Sequence, residues 1–343
     1  MDWDWLLEAA TAHGVVPLVH RALARICPPS FRTAAEQIAR HNLRLTAELL
    51  AILDALDVAG IRAVSFKGPT LAASVYGDVA LRTFRDLDLL VPGSALAHAR
   101  AALGARGYAG PAPTRHMWQH RLTHADGFMV ELHNRLSPPE FPFPPDAADV
   151  WRHPASVRLG SRMVATLGPD QLLLFLCGHG AKHGWERLAW IVDVAELMRR
   201  DVSLDWRVIG ARARAQASER MLLLGVQLAA DLLGAPAPAS LAERARADRH
   251  VGALASIVCG RLFTNPRAAG DTWNVRTFHW HVRERWRDRA KYILKLIATP
   301  GPADFAAVPL PRWLHWLYYG FRPLRLAVKY GPRALAKWTP QPR

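Results

Sequence analysis

The chain of 343 residues is half hydrophobic and 21% charged, and this balance excludes a wholly disordered protein. Its 44 lysines and arginines outnumber the 29 aspartates and glutamates, so the formal net charge is +15 and we expect an anionic partner. Three widely spaced cysteines, Cys27, Cys177 and Cys259, form no CxxC pair and exclude a disulfide framework.

Two apolar segments are candidates for a signal peptide and for a transmembrane helix, and neither has the required features. The N-terminal MDWDWLLEAA is acidic where a signal peptide requires basic residues, and its apolar run is too short. The most apolar predicted helix, 221–235, is interrupted by Gln227 and Asp231 and is too short to cross a membrane. We therefore expect a cytoplasmic protein without a transmembrane segment.

The first 59 residues are predicted to form a helical cap. Short apolar segments at 5–7 and 15–26 predict two helices. Leucines at helical spacing then run through residues 31–58, and Gly60 ends this long amphipathic helix.

Residues 60–166 are predicted to form a small α/β core. In chain order, the predicted elements are a strand at 63–66, a helix at 70–76, a strand at 86–91, a helix at 94–103, a hairpin with strands at 116–123 and 128–134, and a last hairpin at 157–166. Pro169 begins a helical region that we expect to continue through residues 167–343.

Asp86 and Asp88 are the candidate catalytic residues of the second predicted strand. Side chains alternate along a strand, so both carboxylates face one side while Leu87 and Leu89 face the core. Glu131, on a later predicted strand, adds a third carboxylate to this face. Three carboxylates so arranged can bind two Mg²⁺ ions, although an isolated DxD also occurs at solvated strand ends.

The finer pattern resembles a known family. KGP at 67–69 is followed by RxxxDLDLLV from Arg82, VELH from Val130 and HxxxHxWxxLxWxxD from His179. This pattern is similar to the polymerase-β-like nucleotidyltransferase superfamily, and within it to the uncharacterised bacterial type-5 NTP transferases. The resemblance implies an α+β fold, in which a small mixed-sheet nucleotidyltransferase core has an N-terminal helical cap and a C-terminal all-helical region.

The resemblance also implies roles for individual residues. Asp86, Asp88 and Glu131 would be the catalytic and metal-binding residues, with two Mg²⁺ ions as the cofactor and Mn²⁺ as a substitute. The nucleotide-binding residues would be Lys67, Gly68, Thr70, Arg82, His179 and His183. The superfamily usually has Gly-Ser before the first aspartate, whereas here Pro69 follows the glycine, so Lys67 would supply the charge that contacts phosphate.

We therefore expect an enzyme, a Mg²⁺-dependent nucleotidyltransferase that moves NMP from an NTP to an unidentified acceptor and releases pyrophosphate. The acceptor would be an anionic or hydroxyl-bearing small molecule, sugar, peptide or protein. The alternative is a catalytically silent nucleotide- or nucleic-acid-binding module on the same scaffold. Nucleic acid is not the favoured partner, because only the net charge of +15 points to it.

Arg82 has a structural as well as a functional interpretation. It lies just before the aspartates, where a guanidinium group can neutralise phosphates or carboxylates. A salt bridge to Asp78 or Asp86 is about as well supported, and we slightly favour the contact with nucleotide.

The predicted helix that follows Pro169 carries further polar residues with two interpretations. His179 and His183 either border the nucleotide or pack between helices, and zinc is disfavoured because the sequence offers no obvious third ligand. Asp193 lies in an otherwise apolar segment, so we expect it to pair with Lys182 or Arg187.

The C-terminal quarter is rich in tryptophan and in basic residues. No acidic residue follows Asp304, whereas seven basic residues do. Basic residues interleaved with aromatic ones can bind single-stranded nucleic acid or form a peripheral contact with an anionic membrane. Because Trp313, Trp316, Leu317 and Leu324 also need burial, we expect this basic amphipathic end to pack on the helical region.

Overall fold

The computed structural model describes residues 1–112, 117–138, 141–142, 147–152, 154–200, 203–262, 272–300 and 302–336. Over these residues the protein has the predicted α+β fold, with a small mixed sheet among many helices. The chain divides into two compact units, 1–283 and 284–343. The boundaries predicted after residues 59 and 166 stay predictions.

Three helices begin the first unit: α1 at Trp3–His13, α2 at Val16–Ala22 and α3 at Pro29–Val58. Asp2 caps α1, because its carboxylate accepts a hydrogen bond of 3.0 Å from the backbone N–H of Trp5. The buried apolar residues of α3 are Phe31, Ala35, Leu45, Leu49, Ile52, Leu53 and Leu56. Their helical spacing confirms the long amphipathic helix predicted from the leucines.

A four-stranded sheet follows, with β1 at Val64–Ser65, β2 at Leu87–Leu90, β3 at Gln119–Thr123 and β4 at Met129–His133. The strand order is β1-β2-β4-β3, in which β2 and β4 are parallel and the other neighbouring pairs are antiparallel. The parallel register sets Asp88 directly opposite Glu131. Pairing of these two strands therefore brings together carboxylates that are far apart in the sequence.

Short helical segments connect the strands. They are α4 at Gly68–Leu71, a π-helical turn at Ala72–Tyr76, 3₁₀ turns at Val79–Leu81 and Gly93–Ala95, and α5 at Leu96–Ala105. β1 has two residues rather than the predicted four, and β2 begins at Leu87 rather than Asp86. Asp86 therefore ends the loop before β2, and its position is not set by strand pairing. The start of the predicted hairpin at His116 lies outside the described residues.

The sheet separates an apolar face from a polar face. The strand residues that pack with α3 and α5 in one hydrophobic cluster are Leu87, Leu89, Val130 and Leu132. Asp88, Glu131 and His133 alternate with these residues along β2 and β4 and therefore face the other way. This alternation confirms the prediction of a shared side of the sheet for Asp88 and Glu131, whereas Asp86 lies in the loop before β2.

The rest of the first unit is helical apart from one hairpin. It comprises α6 at Ala147–Arg152, β5 at Ala155–Leu159 paired with β6 at Arg162–Thr166, α7 at Pro169–Lys182, α8 at Leu188–Arg200, α9 at Trp206–Ala215, α10 at Glu219–Leu233, α11 at Ala239–Ala247, α12 at Arg249–Leu262 and α13 at Thr272–Val282. One hydrophobic cluster joins α7, α8 and α10 to Val64 and Leu90 of the sheet. The buried Trp185 ring lies against Gly180, where a Cβ would be 2.4 Å from the ring, and so holds the bend between α7 and α8.

The second unit contains α14 at Trp286–Ala298, α15 at Pro302–Ala307, a 3₁₀ segment at Arg312–Leu317 and α16 at Tyr318–Ala336. The fully buried Asp304 accepts hydrogen bonds from Arg322 and, at 2.7 Å, from Arg325. The expectation of a buried apolar end is wrong for Trp313, Trp316, Leu317 and Leu324, which are exposed. For Leu324 the reason is that α16 turns Arg322 and Arg325 inward to Asp304. No helix in the described part of the chain is long and apolar enough to span a membrane.

Candidate active site

A cleft of about 480 Å³ lies against the polar face of the sheet. The predicted site residues that line it are Lys67, Gly68, Arg82, Asp86, Glu131, His179 and His183. Asp88 lies behind this lining, with its side chain fully buried next to Lys67 and His133. The structure therefore gathers all but one of the predicted site residues, Thr70, around one cleft.

Asp88 is the most deeply buried acidic group of the cleft. Its Oδ1 accepts hydrogen bonds from Lys67 Nζ at 2.9 Å and from His133 Nε2 at 3.0 Å. Burial acts to raise the pKa of Asp88, but the Lys67 ammonium and the His133 hydrogen bond outweigh it, and the pKa falls below its usual range. Oδ2 is buried and has no hydrogen-bond partner within the described residues.

Glu131 is held from the opposite side by an arginine of the neighbouring strand. Arg121 donates to Glu131 Oε1 through Nη2 at 2.8 Å and through Nε at 3.1 Å. The other carboxylate oxygen, Oε2, lies 3.7 Å from His133 Nε2. The antiparallel register of β3 and β4 sets Arg121 directly opposite Glu131.

Asp86 differs from Asp88 although the two residues belong to one motif. Its carboxylate lines the cleft and makes no hydrogen bond or ion pair with any residue that the structure describes. Burial, followed by the negative charge of Asp88, raises the pKa of Asp86 to about 6. Within the described residues, Asp88 is therefore a paired carboxylate and Asp86 an unpaired one.

Replacing Asp86 with asparagine is expected to stabilise the metal-free protein above about pH 7 by on the order of 2 kcal/mol. The folded-state pKa of Asp86 lies above the unfolded value, so ionisation costs stability as the pH rises from 3.8 to about 6. The gain should therefore vanish below about pH 4. Urea unfolding across this pH range measures it, with Asp231→Asn, at an exposed position of α10, as the control. An equal response of both variants would contradict the assignment.

The donor set of the site fits a divalent cation. Asp88, Glu131 and His133 each offer one ligand atom, and these atoms lie within 4.8 Å of one another. The partnerless Asp88 Oδ2 is a buried anionic acceptor, which a cation would satisfy. Asp86 lies outside this close group, and His133 takes its place. His133 lies two residues after Glu131 on β4, so strand alternation alone places the two side chains on one face.

The turn after β1 brings Lys67 to the cleft through a constrained glycine. Gly68 has a φ of +54°, and a Cβ there would lie 3.3 Å from the carbonyl oxygen of Asp86. Thr70 is fully buried beneath the turn, where its hydroxyl lies 2.8 Å from the Lys67 carbonyl oxygen. Thr70 does not line the cleft, so its position is that of a support for the Lys67-Gly68 turn.

Residues 1–234 match the family model described as an uncharacterised nucleotidyltransferase. The chain belongs to this family. No curated protein matches it. Among solved structures, it is similar to an antigenic nucleotidyltransferase-like protein from Paracoccidioides brasiliensis, with 14% identity over 64% of this chain and 97% of that one. The TM-score of that superposition is 0.33.

Arg82 of this nucleotidyltransferase-family chain has a partner that the sequence did not suggest. Its Nε and Nη2 donate to the two carboxylate oxygens of Asp193 at 2.8 and 3.0 Å, and the Tyr76 hydroxyl donates to the same carboxylate at 2.7 Å. The expected pairing of Asp193 with Lys182 or Arg187 is wrong. α8 instead lies against the loop before β2, so Arg82 is tied to Asp193 while one side of it still lines the cleft.

The family motif on α7 forms an aromatic wall of the cleft. The rings of His179 and His183 lie 4.7 Å apart, and Trp190 packs at 5.4 and 5.2 Å from them. Burial and neighbouring cations, Lys67 and Lys182 among them, lower the pKa of both histidines, that of His183 to about 3. Both rings are therefore neutral near pH 7. Among the described residues, no third metal ligand joins them.

Proposed function

We propose that this chain is a nucleotidyltransferase that depends on Mg²⁺, with Mn²⁺ as an alternative, and moves NMP from an NTP to an acceptor hydroxyl. The main support is the buried Asp88 carboxylate set opposite Glu131, with one oxygen to which none of the described residues donates a hydrogen bond. The unpaired Asp86 lies beside them. Three neighbouring carboxylates would repel one another in the folded protein, and a bound divalent cation removes that conflict.

The proposed reaction needs positioning and charge neutralisation rather than a covalent intermediate on the protein. The acceptor oxygen forms a bond to the α-phosphorus while the bond from that phosphorus to the β-bridging oxygen breaks. Pyrophosphate leaves with the bonding electrons, and the acceptor proton passes to Glu131 and then to solvent. A divalent cation bound by Asp88 and Glu131, with Asp86 and His133 beside them, would supply positive charge to the phosphate oxygens.

The other cleft residues have proposed roles in binding the NTP. Lys67 would exchange its contact with Asp88 for a phosphate oxygen, and Gly68 lets the backbone approach the phosphates closely. The neutral His179 and His183, whose rings are tilted by 58° to each other, would contact the base or the ribose through their ring faces and edges. Arg82, held by Asp193, would contact the nucleotide from the loop before β2. Thr70 would support the Lys67-Gly68 turn through its hydrogen bond to the Lys67 carbonyl oxygen.

A second cavity offers room for the acceptor. It has a volume of about 560 Å³ and shares with the cleft Thr83, Phe84, Arg85 and Met129. Asn42 lines it and donates through Nδ2 to the carbonyl oxygens of Val79 and Arg82, at 2.7 and 2.8 Å. This fixes the amide orientation and leaves the buried Oδ1 without a partner within the described residues. An acceptor with an apolar body and an N–H or O–H donor would satisfy that oxygen.

The proposal is tested by incubating the full chain with each α-labelled NTP, Mg²⁺ and a cell extract. We expect the label to appear on an acceptor with release of pyrophosphate, and we expect EDTA to prevent it. The catalytically silent binding module predicts saturable NTP binding without transfer of the label. If NTP binding is observed but the label stays on the nucleotide with every NTP and every extract fraction, the result contradicts our proposal and supports the silent binding module.

Lys67→Ala is expected to weaken NTP binding by roughly ten- to a hundredfold, because a charge-assisted contact contributes about 1.5–3 kcal/mol. Isothermal titration calorimetry with Mg²⁺ and the NTP measures the change. Lys182→Ala removes a cation that stacks on Trp118 at 4.7 Å on the other wall of the cleft and serves as the control. Equal affinities of the Lys67→Ala variant and the unmodified protein would mean that the turn does not hold the phosphates.

A further inference from the structure

The second unit concentrates both the positive charge and the exposed apolar side chains of the protein. Residues 284–343 contain twelve lysines and arginines but three acidic residues, so this segment carries nine of the fifteen net positive charges. Among its described residues, the large apolar side chains that are most exposed are those of Trp286, Leu294, Trp313, Trp316, Leu324 and Val328. Because α14 and the 3₁₀ segment both contact α16, exposed apolar side chains on these neighbouring elements are typical of a surface that contacts a protein or a membrane.

The polarity of α16 is the reverse of that of a helix on the surface of a water-soluble domain. Arg322 points inward, where its Nε donates to the Leu296 carbonyl oxygen at 2.9 Å and its guanidinium contacts Asp304. On the other side, Leu324 and Val328 are 69% and 79% exposed. A helix packed for water alone would bury the leucine and expose the arginine.

α14 and the 3₁₀ segment also expose large apolar side chains to solvent. Trp286, Leu294 and Ile297 recur at helical spacing on α14, and all three are exposed. Trp313 and Trp316, in the 3₁₀ segment, are 75% and 66% exposed. Tryptophan is suited to the boundary between water and lipid, since its ring is apolar and its indole N–H is a hydrogen-bond donor.

We propose that the second unit binds the surface of a membrane that contains anionic lipids. Cations that are not paired with Asp304, such as the exposed Arg287 and Lys291, fit anionic headgroups, and the exposed tryptophans, leucines and valine fit the adjoining acyl region. A single-stranded nucleic acid fits less well. Its bases would stack on the aromatic rings, but the exposed aliphatic side chains of Leu294, Leu324 and Val328 offer neither a stacking surface nor a charge for its backbone. Since none of the described helices can span a bilayer, the contact is peripheral.

Sedimentation of the full chain with vesicles tests the proposal. We expect binding to vesicles of phosphatidylcholine mixed with phosphatidylglycerol, and much weaker binding to phosphatidylcholine alone. The double variant Trp313→Ser/Trp316→Ser should lower the partition coefficient by at least about tenfold, since each indole buries a large apolar area. Trp5→Ser, which removes an equally exposed tryptophan from α1, is the matched control and should bind as the unmodified chain does.

Charge is tested separately from apolar contact. Arg287→Glu/Lys291→Glu reverses two exposed charges one turn apart on α14 and should weaken binding and flatten its dependence on salt. Failure to bind anionic vesicles, or equal binding of the double tryptophan variant and Trp5→Ser, overturns the proposal. Tighter binding to single-stranded oligouridine than to anionic vesicles, or concentration-dependent self-association lost in the double tryptophan variant, would assign the surface to RNA or to a second copy instead.

Discussion

Asp193→Ala is expected to lower the free energy of unfolding by about 3–5 kcal/mol, the largest stability effect that we expect in this protein. The substitution leaves the Arg82 guanidinium buried without its carboxylate and removes the acceptor of the Tyr76 hydroxyl. Both groups would then have to be desolvated without compensation. Thermal and urea unfolding followed by circular dichroism measure the loss.

Two comparisons isolate the cause of that loss. Glu196→Ala, on the same helix, breaks a partly exposed pair with Arg199 and should cost less than about 1 kcal/mol. The double variant Arg82→Met/Asp193→Leu should recover a large part of the stability, because it removes the unpaired charge along with its partner. A cost for Asp193→Ala no greater than that for Glu196→Ala would show that the Arg82 pair does not hold α8 to the loop.

Asp88→Asn and Glu131→Gln are each expected to reduce nucleotide transfer by at least about a thousandfold, the loss of roughly 4 kcal/mol of transition-state stabilisation. Both variants keep the side-chain volume, but they remove charge from the group that would bind the cation. Rates of pyrophosphate release measure the effect. Glu48→Gln, which lies in a pair with Arg106 outside the lining of the cleft, is the matched control.

The two substitutions should differ in stability, and this difference tests the geometry independently of activity. Asp88→Asn takes the negative charge from Lys67 and His133, so it should destabilise the fold in metal-free buffer. Glu131→Gln retains an oxygen that accepts from the largely exposed Arg121, so its effect should be small. Transfer at the original rate in both variants would exclude these carboxylates from the catalytic site.

The alternation of side chains on β2 and β4 could be predicted without the structure. Leu87 and Leu89 are core residues in the motif and in the fold, and Asp88 shares a face with Glu131 as predicted. Strand periodicity depends on backbone geometry that is local to a few residues, and for this reason a sequence reports it well. The leucine spacing of α3 was informative for the same reason.

The partners of the charged groups could not be predicted in this way. Arg82 pairs with Asp193, and Lys67 and His133 share Asp88, over separations that no local pattern encodes. Which cation meets which carboxylate depends on how helices pack on the sheet, and on a few ångströms of approach. The structure for this reason separates Asp86 from Asp88, which the motif presents as equivalent.

Residue type and periodicity by themselves determined the helices and strands of this protein, the carboxylate face of β2 and β4 and the positive charge, and the family resemblance added the α+β class. Only the tertiary structure decided that Thr70 lies beneath the turn, that His133 joins Asp88 and Glu131, and that Leu324 and Val328 face outward. Amphipathic patterning predicts that a helix has two faces, but the choice of the face that turns inward depends on its neighbours. In α16 the face that carries Arg322 and Arg325 turns inward, because the buried Asp304 carboxylate is stable only when cations lie beside it.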